Sequence, residues 1–187
     1  MTATLSELTG DYVLDPAHTR IGFVARHAMV TKVRGAFHAF EGSAHLDGAD
    51  PTRSTGRVVI RTESIDTGVE QRDQHLRAND FLDVPNFPEI TFRSTSIEAR
   101  SDTDYRVTGD LTVKDTTRPV TIDFEYTGNV VDPYGNLRVG LEGSVTISRK
   151  DFGVTWNAAL EGGGVLVGDK VVLEFDISAI RQDGAKQ

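Results

Sequence analysis

Five histidines, His18, His27, His38, His45 and His75, and the adjacent pair Arg72 and Asp73 have the strongest claim to chemistry in this 187-residue chain. Histidine changes charge near neutral pH and is a common metal ligand. His27 shares its parity with Ile21, Phe23 and Ala25, so a strand that continues that far turns it inward, toward a ligand head group, a carboxylate or a satisfied buried position. His38 and His45 fall in one expected strand at opposite parity, which puts them on opposite faces unless a bulge intervenes and argues against a metal site. Arg72 and Asp73, with His27, would act as acid, base or charge stabiliser on an apolar substrate. The alternative is a structural network tying a helix to the rim of the sheet, with Asp15 or His18 as partner, because a buried arginine beside carboxylates must be paired. Zero cysteines remove disulfides, thiolate metal sites and thiol nucleophiles. There is no nucleophile-elbow sequence and no phosphate-cradling glycine loop before a helix. Gly162 to Gly164 precede strand-like sequence and read as a turn. No catalytic residue, metal or cofactor is expected.

The elements that would position these residues are mostly strands. Val, Ile and Thr outnumber Leu, Ala and Met, which favours a pleated surface. Tyr105 to Val113, Val120 to Tyr126, Val139 to Ile147 and Val171 to Ile177 alternate apolar and polar residues, so each has one dry and one wet face. Further strands are expected around Ile21 to Ala25, from Val33 through Leu46, from Val58 to Thr62 and from Ile90 to Ser94, about eight in all. One stretch breaks the period of two. Thr67 and Glu70 have capping-box spacing, and Val69, Arg72, Asp73 and Leu76 recur at helical intervals, predicting one helix over about 69–79. The apolar, proline-broken Phe81 to Pro88 then reads as a packed connection closing one end.

These elements imply one all-β domain over 1–187, with an N-terminal extension at 1–10 and a tail at 181–187. The net charge of −8 argues against nucleic acid and against broad contact with anionic lipid. No apolar run is long enough to span a bilayer, so no stable membrane insertion is expected. No basic flank or apolar leader opens the sequence, which makes a cytoplasmic protein the expectation.

Eight one-sided antiparallel strands bury their dry faces by closing into a barrel or folding into two sheets, and a closed barrel of that size is either filled or holds one small ligand. Here the dry faces mix phenylalanines with Ala25, Gly35, Gly109 and Gly143. The small residues mark either kinks at barrel corners or room for a hydrocarbon-like guest. A filled barrel serving as a dimerising scaffold is the rival reading.

Ordered fragments spread along the chain carry a resemblance. They are Tyr12-x-x-Asp15-Pro16-x-His18-Thr19, Ile21-x-Phe23-x-x-x-His27, Val33-x-Gly35-x-Phe37-x-x-Phe40-x-Gly42, Ser64-Ile65-Asp66-Thr67-Gly68, Arg72-Asp73-x-His75-Leu76, Asp80-Phe81, Phe87-Pro88-x-Ile90-x-Phe92, Gly109-x-Leu111-Thr112-Val113 and Ser148-Arg149-x-Asp151-Phe152-Gly153. In their order and spacing, from about Tyr12 to Ile180, the sequence resembles the YceI family of lipocalin-like, polyisoprenoid-binding proteins. Thr19 stands where Ser is common, and Trp156 with Gly162 to Gly164 suggests a subgroup variant. The resemblance implies an eight-stranded antiparallel lipocalin-like barrel with one short helix closing one end. It also implies an apolar tunnel carrying a polyisoprenoid, an isoprenoid quinone or a similar lipophilic chain without catalysis. The wall residues expected to touch that guest are Ile21, Phe23, Ala25, His27, Phe37, Phe40, Ile60, Phe81, Phe92, Leu111, Phe124, Leu141 and Phe175. A homodimer is compatible with all of this.

Overall fold

The computed structural model describes residues 4–182; residues 1–3 and 183–187, the ends of the expected extension and tail, lie outside the described residues. The strands are β1 (Gly10–Leu14), β2 (Arg20–His27), β3 (Thr31–Phe37), β4 (Phe40–Leu46), β5 (Thr55–Arg61), β6 (Ile65–Asp66), β7 (Glu89–Ala99), β8 (Asp104–Val113), β9 (Thr116–Val131), β10 (Leu137–Ser148) and β11 (Val167–Arg181). The α-helix α1 (Glu70–Arg77) lies between β6 and β7.

These pieces form eight antiparallel rows. β1 and β2 run the same way along β11, with Leu14 opposite Ala179 and Arg20 opposite Asp176. β4 and β3 lie along them in turn, and β5 and β6 follow as a third interrupted row. β7 to β11 complete the circuit, each paired to the next, and β11 closes it against β1 and β2. The sheet is therefore a closed eight-row barrel without the free edges of an open sheet around most of its circuit.

The interruptions are where the sequence reading departs from the structure. The stretch expected as one strand from Val33 through Leu46 breaks at His38 and Ala39, whose backbone groups bond to Ser64 and Arg61. That break resets the parity, so His38 and His45 are both exposed on the outside. β1 was not expected, because only Tyr12 and Leu14 point inward in so short a segment.

The helix forms where expected but is started differently. Thr67 does not box with Glu70; its backbone N–H and hydroxyl both donate to Asp73 Oδ1, at 2.9 and 2.5 Å. Asp73 is buried by this contact. Arg72 donates from Nε to Thr67 Oγ1 and from Nη2 to the Thr67 carbonyl. The Arg72–Asp73 pair thus secures the helix to the strand before it, as the structural reading expects, but through Thr67 and not through Asp15 or His18. Asp15 is engaged elsewhere, accepting from Arg138 Nη1 at 2.6 Å and bonding His18 Nδ1 at 2.7 Å.

Candidate apolar binding cavity

The barrel interior divides into two cores. One gathers Ile21, Phe37, Ile60, Ile65, Phe81, Ile90 and Phe152 at the α1 end. The other, smaller one gathers Leu8, Tyr12, Leu137, Val139 and Ala179 at the opposite end. Between them lies a cavity of about 300 Å³ whose wall draws on both, with Ile21, Phe37 and Ile60 from the first and Leu8, Tyr12, Val139 and Ala179 from the second.

Eight of the thirteen residues expected at the ligand wall line this cavity: Ile21, Phe37, Ile60, Phe92, Leu111, Phe124, Leu141 and Phe175. Alternation places them correctly because their strands are regular there. The other five lie elsewhere. Phe23 packs across β3 onto Gly35, its ring 5.8 Å from that of Phe37. Ala25 is half-buried between Val33 and Val171. Phe40 packs against the first core, and Phe81 stacks with His75 and Trp156, with ring centroids 5.0 and 5.3 Å apart. His27 corrects the inward expectation most clearly: β2 reaches it, but the barrel wall ends there and the side chain is exposed.

The small residues also need correcting. The inward glycines do not hold space open. Gly35, Gly109 and Gly143 are each covered by a phenylalanine ring, of Phe23, Phe92 and Phe124, lying where a Cβ would stand. A ring laid over a strand glycine recovers the packing that the missing side chain forfeits. Two of these rings, Phe92 and Phe124, themselves line the cavity.

Sequence reasoning missed the end that closes it. Residues Leu5–Leu8 form a single 3-10 turn, and Leu5 and Leu8 belong to the cavity wall. Thr4 starts the turn by donating its backbone N–H and hydroxyl to Glu7 Oε2, both at 2.7 Å. The turn is held by Tyr12, whose hydroxyl donates to the Leu8 carbonyl at 2.7 Å, and by Arg181, which donates to the Glu7 carbonyl at 2.8 Å. Gly48 accommodates it, since a Cβ there would collide with the Leu5 carbonyl. The apolar i, i+3 spacing of Leu5 and Leu8 behind Thr4 and Glu7 was the available signal.

No polar group asks for a partner inside. Among the described residues, no buried side-chain nitrogen or oxygen lacks a hydrogen bond, and no group of three His, Cys, Asp or Glu is placed to hold a metal ion. His18, His38, His45 and His75 each bond an aspartate, at 2.7 to 2.9 Å. No histidine lines the cavity, nor do Arg72 and Asp73, so the three groups an enzymatic reading invokes are not in its wall. Arg149, buried beneath the Phe152 turn, donates to four carbonyls, those of Gly168, Val154, Trp156 and Val167. Burial pushes its pKa down, and its bonds join the 149–157 segment to β11.

At the Leu8 end, Arg138 bridges Asp15 and Asp132, donating to Asp132 from Nε at 2.8 Å. The Arg138 guanidinium holds the Asp15 carboxyl down to about 2. The Asn136 backbone N–H, and then Arg138, hold Asp132 down to about 2 as well.

Comparison with known proteins agrees with this architecture. A UPF0312 protein of Pseudomonas aeruginosa is 40% identical over 149 residues, covering 79% of this chain and 78% of the relative. One from Shewanella putrefaciens is 36% identical over 156 residues, 82% of each chain. Burkholderia cenocepacia BcnA superimposes with a TM-score of 0.78 at 24% identity over 88% of this chain and 98% of its own. A polyisoprenoid-binding domain from Saccharophagus degradans, implicated in plant cell wall breakdown, does so at 0.68 and 13% identity, over 91% and 98%. The family model described as the YceI-like domain matches residues 12–179, from Tyr12 in β1 to Ala179 in β11, and the chain belongs to that family.

Proposed function

We propose that the protein binds and carries a lipophilic chain, a polyisoprenoid, an isoprenoid quinone or a similar amphiphile, without catalysing its conversion. The observation that carries this reading is the cavity between the two cores, walled mainly by aliphatic and aromatic side chains, in a barrel where, among the described residues, no buried side-chain nitrogen or oxygen lacks a hydrogen bond. The polyisoprenoid-binding description of the Saccharophagus neighbour supports it at the level of ligand class. A volume of about 300 Å³ stands at the lower end of the ~300–1,000 Å³ of small-molecule sites, which suits a short chain or one end of a long one. Burying an alkyl chain yields about 0.8 kcal/mol per methylene, so ~10 methylenes give ~8 kcal/mol before ordering costs. That reaches micromolar affinity or somewhat weaker with no polar anchor.

The test is organic extraction and mass spectrometry of the purified protein, paired with native mass spectrometry after exposure to quinones and fatty amides. A lipophile retained by the wild type and lost from Leu141→Trp, with the cooperative melt of the variant intact, supports the reading. A wild type that yields no lipophile and takes up none overturns it.

A further inference from the structure

The overall charge conceals a local inversion. Between Asp15 and Glu41 the chain carries Arg20, Arg26, Lys32 and Arg34 and no carboxylate, in a protein of net charge −8. This stretch is the β2–β3 hairpin. Its register sets Arg26 opposite Lys32 and Val24 opposite Arg34, so Arg26, Lys32 and Arg34 share the outer face, and all three are exposed. Among the described residues none of the three has a carboxylate partner; Arg26 donates only to the Val30 carbonyl.

The tip of the same hairpin is apolar. After the last pair, His27 and Thr31, the chain reverses through Ala28, Met29 and Val30. Met29 is 61% exposed and Val30 74% exposed. Ala28 and Met29 both have positive φ, 50° and 64°, a conformation that glycine or asparagine adopts at less cost. The residues at the tip are thus poor choices for the turn itself. The tip is braced, because the Ala28 N–H donates to the Leu166 carbonyl at 2.7 Å and the Met29 sulfur rests over Gly164. Val165, 40% exposed, extends the apolar surface on that second loop, where Glu161 is the exposed carboxylate.

We propose that this hairpin docks the protein reversibly on anionic lipid bilayers, with Met29 and Val30 entering the headgroup boundary and Arg26, Lys32 and Arg34 meeting the acidic headgroups. Exposed apolar residues backed by cations are the arrangement that interfacial segments use. The acidic remainder of the barrel is repelled by the same surface, which turns the hairpin toward it. The surface is separate from the cavity and binds whether or not the cavity holds a lipid. With the proposed function it supplies the place where a lipophilic chain is met.

The experiment is vesicle flotation of the cargo-free protein with phosphatidylcholine alone and with phosphatidylcholine mixed with phosphatidylglycerol, at low and high salt. Binding to the mixed vesicles at low salt is expected to exceed binding to phosphatidylcholine by about tenfold and to fall with salt. The pairs Met29→Ser with Val30→Ser, and Lys32→Glu with Arg34→Glu, are each expected to cut binding about fivefold or more with unchanged Tm, as their sites are exposed. Arg53→Glu, a charge reversal on the 51–53 turn, is expected to leave it unaltered. Wild-type protein that does not float with the mixed vesicles overturns the proposal. So does an Arg53→Glu loss equal to that of the hairpin pair, since that is a net-charge effect. Loss on charge reversal with none on the serine pair also overturns it, because it marks a face for an acidic protein.

Discussion

The two ends of the barrel close the same eight rows in different ways. At the α1 end, the helix, the Phe81 segment and the Phe152–Trp156 segment stack aromatic rings into a packed core and pin it with Arg149. At the other end two short 3-10 turns, Leu5–Leu8 and Pro51–Arg53, cover the opening with Tyr12, and the hollow begins just behind them. Alternation makes a dry face at both ends but does not determine whether facing dry residues meet. Solidity comes from the added layers, and space persists where the cover is made of short turns.

Large-to-small substitutions should therefore cost different amounts at the two ends. Phe152→Ala is expected to lose about 3–5 kcal/mol, the usual cost of emptying a packed aromatic site. Leu141→Ala, on the cavity wall, is expected to lose about 1–2 kcal/mol, because its methyl groups already border space. Denaturant titration of both variants checks this, and equal losses would break the comparison. Next in size is Gly35→Ala, whose new methyl group meets the Phe23 ring; an overpacking loss of about 1–3 kcal/mol is expected, again from denaturant midpoints.

A smaller effect is expected in acid at the hollow end. Asp15 and Asp132 have folded-state pKa values near 2, below the ordinary 3.8. Their contribution is complete above the ordinary value and is lost as pH falls from about 4 toward 2. Tm measured across that window should drop in the wild type, and Arg138→Gln should flatten the limb while lowering the Tm at neutral pH by a few degrees. The smallest expected effect is a gain. At Gly56, on the cavity wall, a Cβ would reach Ala44 Cβ at an ordinary 3.8 Å, so Gly56→Ala should stabilise by about 0.5–1 kcal/mol. A loss there would mean that the wall is already full.

Much of the barrel was legible because β8 to β11 are long and alternate over most of their length, with register shifts confined to Thr127 in β9 and the start of β11, and their inward residues Leu111, Phe124, Leu141 and Phe175 reach the cavity as read. The glycines were misread because parity names a face but not the neighbour across it. Gly35 is filled by Phe23 only because the register sets them opposite each other, and the register depends on pairing that the local sequence does not state. His27 was misplaced for a related reason: parity continues past the point where the wall of the barrel ends. The Leu5–Leu8 turn escaped notice because two leucines in a polar stretch gain their meaning only from Gly48, Tyr12 and Arg181, residues distant in sequence.

The closure between β1 and β11 pairs Tyr12 with Arg181, residues far apart in sequence. Loop-closure entropy makes such a pairing late in folding. During synthesis the first rows must wait for β11 to leave the ribosome, so the hollow comes into existence only once that strand has emerged.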